Sequence, residues 1–499
     1  MTLTKQISIG LLAFTLSLSA TAQTKGGQAK NDTPRQQPHT ASAASSWQQV
    51  PVPPLHAFHP QEPRRVALPN GMVIFLQEDH ELPLIDGSIR IRGGRRDEPA
   101  EKTGLTAIYS QAWRTGGTKS KSGDELDDLL ETRAARVETG SGGDATTIAW
   151  SSLKGDFDSV FAVVLDLLQN PEFRQDKIDL AKQQISSAIA RRNDNIGSIV
   201  QREAVKLAYG KDNPYARTPE YSTVSAVNRD DLREWHKRTV VSGNMIVGIS
   251  GDFDSAAMES KLREALAALP QGTPLPAPQI TFQPPSPGIY FVEKDDVNQS
   301  AINLLDLGIE RRNPDYYALE VMNEVFSGGF SSRLILNLRT RMGLAYSVFG
   351  SVGASYDHPG IVRIGIGTKS GSTAAALEGL KKQVEDMRQS GVTAVELKRA
   401  KDAILNSFIF TVDSRDKVLA ERLSYEFYGY PPDFLERYRA GIEKVTAADV
   451  DRVAKKYLHP EQFAILVVGN KKDFDRDLAT FGKVTTVDVS IKGRPGSTD

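Results

Sequence analysis

The segment Gly104–Thr118, GLTAIYSQAWRTGGT, holds the side chains whose chemistry most needs reading. Leu105, Ile108 and Ala112, with Tyr109 and Trp113, are spaced for a helix that ends in the Gly116-Gly117 turn. Ala107 and Gln111 stand one helical turn apart, with Ser110 beside them. A zinc ion at such a pair needs imidazole nitrogen, thiolate or carboxylate. Ala107 offers no donor, and Gln111 offers a neutral amide. Ser110 is no general base, because an unassisted hydroxyl is not basic near neutral pH. The seven histidines (His39, His56, His59, His80, His236, His358, His459) contain no pair four apart on a helix. His56 and His59 lie in a proline-rich stretch, and His236 reads as a surface or internally satisfied histidine. No cysteine is present, which excludes disulfides, thiolate zinc sites and cysteine nucleophiles. Ser151-Ser152-Leu153-Lys154 and Lys102-Thr103-Gly104 match Ser-x-x-Lys and Lys-Thr-Gly of penicillin-recognising enzymes. Their order is reversed, no Ser-Asp-Asn accompanies them, and Ser151 ends a predicted strand. Neither a Gly-x-Ser-x-Gly elbow nor a phosphate-binding Gly-x-x-x-x-Gly-Lys-Ser/Thr occurs. Judged by itself, the helix is an ordinary core helix.

The elements around it are legible. Val66–Leu76 places a turn, Pro69-Asn70-Gly71, between two apolar runs, and Leu84–Arg92 alternates as a third strand. Gln271–Gly288, QGTPLPAPQITFQPPSPG, is an interdomain linker rich in proline. It separates halves of about 200 residues, an ordinary domain size. The halves echo each other. A helix opening at Val227 leads to an apolar strand closing at Gly251, and a helix opening at Val445 leads to one closing at Gly469, at a constant offset of 218. Gly116-Gly117 and Gly328-Gly329 each follow a helix, and Ala145–Leu153 and Ile361–Thr368 each alternate afterwards. Helices and strands mix without strict βαβ alternation. The expectation is therefore an α+β fold with largely antiparallel sheets.

Composition narrows the function. Lys plus Arg is 61 and Asp plus Glu is 62, so no basic excess points to nucleic acid. Lys5, the apolar run Ile7–Leu18 and Ala20-Thr21-Ala22 predict a signal peptide over 1–22, cut after Ala22. That run is shorter than the about 20 residues of a membrane span, and no later segment reaches that length. An exported, periplasmic protein with no membrane span after signal removal is expected. Residues 23–60, rich in Gln, Ser, Ala, Thr and Pro, read as a flexible linker. Domains are then expected over 61–270 and 288–482, with a linker at 271–287 and a tail at 483–499.

The helix and its frame, Gly104-Leu105 and Gly117-Thr118, resemble the pitrilysin/insulinase family of inverted-motif zinc peptidases, which includes the mitochondrial processing peptidases. In that family the helix carries His-x-x-Glu-His. Here Ala107, Ile108, Tyr109, Ser110 and Gln111 stand at those five positions. The family's third, acidic ligand falls at Ala188, within Ser187-Ala188-Ile189. Leu338–Val348 resembles the Leu-Arg…Gly-Leu-Ala-Tyr-x-Val signature of the family's second domain. That match gives Arg339 and Tyr346 the role of holding substrate near a metal. Ser327-Gly328-Gly329-Phe330-Ser331-Ser332 resembles a glycine turn of the same domain and reads as structural. The resemblance implies two duplicated α/β-sandwich domains and a motif-deficient subunit without metal or catalytic residues of its own. It also implies a heterodimer with an active, zinc-bearing homologue that acts on peptides. A stand-alone peptide-binding scaffold, or a metallopeptidase with an unrecognised site, are the alternatives.

Overall fold

The computed structural model describes residues 60–493. The expected signal peptide, nearly all of the 23–60 linker and His39, His56 and His59 lie outside the described residues. The first half begins with strands β1 (Arg64–Ala67), β2 (Val73–Glu78) and β3 (Leu84–Arg92), then helices α1 (Leu105–Thr115) and α2 (Gly123–Glu131). It continues through β4 (Arg136–Ser141), β5 (Ala145–Leu153), α3 (Phe157–Gln169), α4 (Gln175–Ala190), α5 (Ile196–Tyr209), α6 (Tyr221–Ala226) and α7 (Arg229–Thr239). It closes with β6 (Met245–Gly251) and α8 (Ser255–Leu266). Residues 271–287 contain no helix or strand.

The second half runs β7 (Gly288–Glu293), β8 (Gln299–Leu307), β9 (Ile309–Glu310), α9 (Tyr316–Ser327), a π-type helical segment at Ile335–Arg341, β10 (Ser347–Ser355) and β11 (Pro359–Lys369). Then come α10 (Thr373–Gln389), α11 (Ala394–Ser407), α12 (Arg415–Tyr428), α13 (Phe434–Lys444), α14 (Ala447–Tyr457), β12 (Ala464–Gly469) and β13 (Val484–Thr486). The tail expected from 483 onward needs correction. β13 pairs with β7, the Val487 amide donates to the Phe291 carbonyl at 2.8 Å, and Val489 packs against the second sheet.

Each half builds one mixed sheet of the two-domain α+β fold. The orders are β1-β2-β6-β3-β5-β4 and β13-β7-β12-β8-β11-β10-β9. Five strands correspond in place: β2 with β7, β6 with β12, β3 with β8, β5 with β11 and β4 with β10. β6 lies parallel to β2 and antiparallel to β3, and β12 lies parallel to β7 and antiparallel to β8. The 218-residue echo therefore reflects one strand position used twice. Even the caps repeat. Asn228 caps α7 in a reciprocal box with Asp231, and Thr446 caps α14 in one with Asp449.

β6 and β12 are buried along almost their whole length. A strand at mid-sheet stays dry only if both faces are covered. One face is covered by helices of its own half. The other face is covered by a helix from the opposite half. Leu419, Leu423 and Phe427 of α12 bury Phe75, Ala145 and Ile246 of the first sheet. Ile199, Val200 and Ala204 of α5 bury Leu305, Ala464 and Leu466 of the second. Gly248 admits α12 closely, since a Cβ there would lie 2.6 Å from Leu423 Cδ1. Arg90 and Arg92, on one face of β3, lay their guanidiniums over the Phe427 ring at 3.8 and 4.3 Å. The halves thus share their cores, and the described residues, 60–493, form one packed unit. Phe427→Ala is expected to cost about 3–5 kcal/mol in urea unfolding. A loss below about 1 kcal/mol would mean that α12 does not seal the first sheet.

Candidate functional site

The α1 helix forms over the stretch its spacing predicts. Its start is fixed by Gly104, at φ 106°, and by the buried Glu98 carboxylate. Glu98 accepts from the Gly104 amide at 2.9 Å and from the Thr106 amide and hydroxyl at 2.7 and 2.5 Å. Burial pushes this carboxyl up despite those bonds. At the other end, Gly117 turns the chain at φ 67°, where a Cβ would lie 2.5 Å from the Lys121 carbonyl. Trp113 and Tyr109 are fully buried, and the Trp113 indole donates to the Leu167 carbonyl at 2.8 Å.

The five former motif positions are occupied by ordinary packing and hydrogen bonding. Ala107 is exposed and bare. Ser110 is buried, its hydroxyl donating to the Ala107 carbonyl of its own helix at 3.2 Å, and its carbonyl accepting from Thr139 of β4. The Gln111 amide donates to Gln184 of α4. Ala188 lies one turn along α4 from Gln184, exposed. The family's zinc does not fit here, because these side chains provide no imidazole or carboxylate. Among the described residues no group of three His, Cys, Asp or Glu stands placed to hold a metal ion.

His236 is where sequence reading missed most. It is an internally satisfied histidine, but its partner lies on the motif helix. Its Nε2 donates to the Leu168 carbonyl at 2.9 Å, so its Nδ1 accepts from the Tyr109 hydroxyl at 2.8 Å. This arrangement needs a neutral ring, and burial holds the imidazole down at about 4. The readable signal was position: Leu232, His236 and Thr239 share one stripe of α7, on which Leu232 and Thr239 are buried and His236 is half-buried. Gln184 gave no comparable signal.

The second-half residues occupy a different setting. The π-type segment ends at Gly343, φ 63°, with the Met342 amide reaching back to the Asn337 carbonyl at 3.0 Å. Arg339 sits in its last turn, exposed, its guanidinium 5.9 Å from the Phe330 ring. Tyr346 immediately precedes β10, its amide donating to the Gly367 carbonyl at 2.9 Å, and the residue is 54% exposed. Phe330, Met342 and Phe349 are exposed in the same segment. No hydrogen bond, ion pair or ring contact joins Arg339 or Tyr346 to α1 or α4 among the described residues. Ser327-Gly328-Gly329 forms a turn, with Gly329 at φ 66° matching Gly117. Ser151 lies in β5 and Lys154 pairs with Asp252 at 2.9 Å, which leaves the Ser-x-x-Lys match without meaning.

Comparison with known proteins decides the lineage. The model of the insulinase family, peptidase family M16, matches residues 74–219, and that of the peptidase M16 inactive domain matches 226–404. The chain belongs to the M16 insulinase family. The second match begins before the proline-rich linker and includes β6, a strand of the first sheet. A Helicobacter pylori relative named non-peptidase homolog YmxG is 24% identical over 80% of this chain and 92% of its own length. A Bacillus subtilis relative, named an uncharacterized zinc protease, is 22% identical over 81% and 98%. The crystal structure of a peptidase M16 inactive domain from Pseudomonas fluorescens superposes with a TM-score of 0.75 at 22% identity, covering 82% of this chain and 98% of that one. Within this family, the chain lacks the zinc-binding motif.

The neutral His236 makes stability depend on pH. Between pH 6.5 and 4 the unfolded imidazole takes a proton that the folded one refuses, so stability falls as pH drops through that window. The wild type should lose about 2 kcal/mol more than His236→Asn between pH 7.5 and 5 in urea unfolding. Equal losses would show that His236 is not held neutral.

Proposed function

We propose that this chain is a non-catalytic M16 subunit that is exported, pairs with a zinc-bearing homologue and helps to bind and orient extended peptides. The observation that carries the proposal is a contrast between the two halves. Ala107, Gln111 and Ala188 supply no metal ligand, while Arg339 and Tyr346 stand exposed among apolar neighbours. A planar guanidinium and a phenol are good donors to peptide carbonyls. Beside them, β9 pairs only with Ala354 and Ser355 of β10. From Ser347 to Val352, β10 has no strand on that side among the described residues. An extended peptide can add to such an edge, taking affinity from backbone bonds and tolerating many sequences. In the first sheet, β4 ends the order next to α1 in the corresponding place. The name of the Helicobacter pylori relative, a non-peptidase homolog, supports the absence of hydrolysis by this chain.

Elemental analysis of the purified chain should find zinc well below one equivalent, and the chain should not cleave unstructured peptides. Stoichiometric zinc together with cleavage would establish a metallopeptidase instead. Affinity purification from the native host should recover an M16 homologue carrying His-x-x-Glu-His. Recovery of the chain without one favours a stand-alone peptide binder. In the mixed complex, Arg339→Ala with Tyr346→Phe should lower peptide turnover about tenfold or more, with assembly on size exclusion unchanged. Unchanged turnover would remove both residues from the site.

A further inference from the structure

Between the end of α4, the start of α5 and the loop before α6 lies an open cleft of about 770 Å³. Five guanidiniums line it, those of Arg95, Arg191, Arg192, Arg202 and Arg217, and no carboxylate does. Two are answered from behind the wall. Arg192 pairs with Glu220 at 2.8 Å and Arg202 with Glu203 at 2.7 Å. Arg217 donates to the Glu98 main-chain carbonyl at 3.0 Å. Arg95, Arg191 and Arg217 form no ion pair among the described residues, although Arg95 lies near enough to the buried Glu98 carboxylate to act on it.

A helix end adds to this positive wall. Gly197 and Ser198, in the first turn of the 14-residue α5, also line the cleft and bring the positive end of that helix to it. Ala188 belongs to the same wall.

We infer that the arginine cleft binds the carboxylates of an acidic peptide segment. This rests on the peptide-binding reading above and names the class of peptide it favours. Several separated guanidiniums suit several carboxylates, each of which a planar fork can grip with two parallel bonds. Neutral or basic segments gain nothing from the cleft, and basic ones are repelled.

Fluorescence anisotropy on the full chain tests this with two unstructured peptides that differ only in three Glu replaced by Gln, and with free triglutamate as competitor. The Glu peptide should bind about tenfold tighter at low salt, with the advantage shrinking at high salt. Triglutamate should displace it. Arg95→Gln with Arg191→Gln, both at exposed positions, should abolish the preference while leaving binding of the Gln peptide unchanged. Equal affinity for the two peptides, or a preference that survives the double substitution, overturns the cleft and leaves the peptide-binding reading intact. Triglutamate that binds where neither long peptide does supports the cleft and sinks the peptide-binding reading. Failure of both triglutamate and the Glu peptide to bind overturns the cleft.

Discussion

The structure depends on one constraint: the middle strands β6 and β12 are buried on both faces, and each takes the cover of one face from a helix of the opposite half. The solution is reciprocal. α12 leaves its own half to lie on the first sheet, and α5 leaves its half to lie on the second. Polar contacts then tighten the shared boundary. Tyr209 donates to the Pro359 carbonyl at 2.6 Å, Arg415 to the Glu78 carbonyl at 2.6 Å, and Arg422 grips Glu62 with two bonds of 2.6 Å. Arg96 reaches Asp357 across the same boundary at 2.5 Å. Burial raises the Asp357 carboxyl, but bonds from His358 and Arg96 more than offset this and hold it at about 2. The exchange fixes the geometry of the two halves, and with it the positions of α1 on one side and of Arg339 and Tyr346 on the other.

Much of this was readable in the chain. Period-two alternation marked β3 and β5 to the residue, because each turns its more buried side chains to one face and its less buried ones to the other. The 218-residue echo marked the duplicated strand, because an identical place in a sheet selects an identical apolar run and an identical capped helix before it. The exchange was not readable. The apolar stripe of α12 says that the helix is covered, and nothing in its spacing says by which sheet. β13 escaped notice because three residues at a sheet edge carry almost no pattern. The π-type segment looked like an ordinary helical turn, since its extra residue per turn shows only in the backbone bonds.

The candidate site was legible as a loss more than as a presence. Residue types at Ala107, Ser110, Gln111 and Ala188 sufficed to show that the family's zinc ligands are not there. What replaced them depended on long-range packing. Gln184 meets Gln111 from a helix 73 positions later, and His236 meets Tyr109 from one 127 positions later. The arginines of the cleft come from separate segments at 95, 191–192, 202 and 217. Charge patterning along the chain detects clusters only when neighbours in sequence are also neighbours in space.

The hydrogen bond between Tyr109 and His236 has an implication for biogenesis. Where a bound ion organises a protein's centre, the polypeptide waits for that ion, and scarcity or chelation stalls its maturation. Here the helix is fastened by a phenol, an imidazole and a main-chain oxygen, all encoded in the polypeptide. This fastening therefore draws on no transition metal.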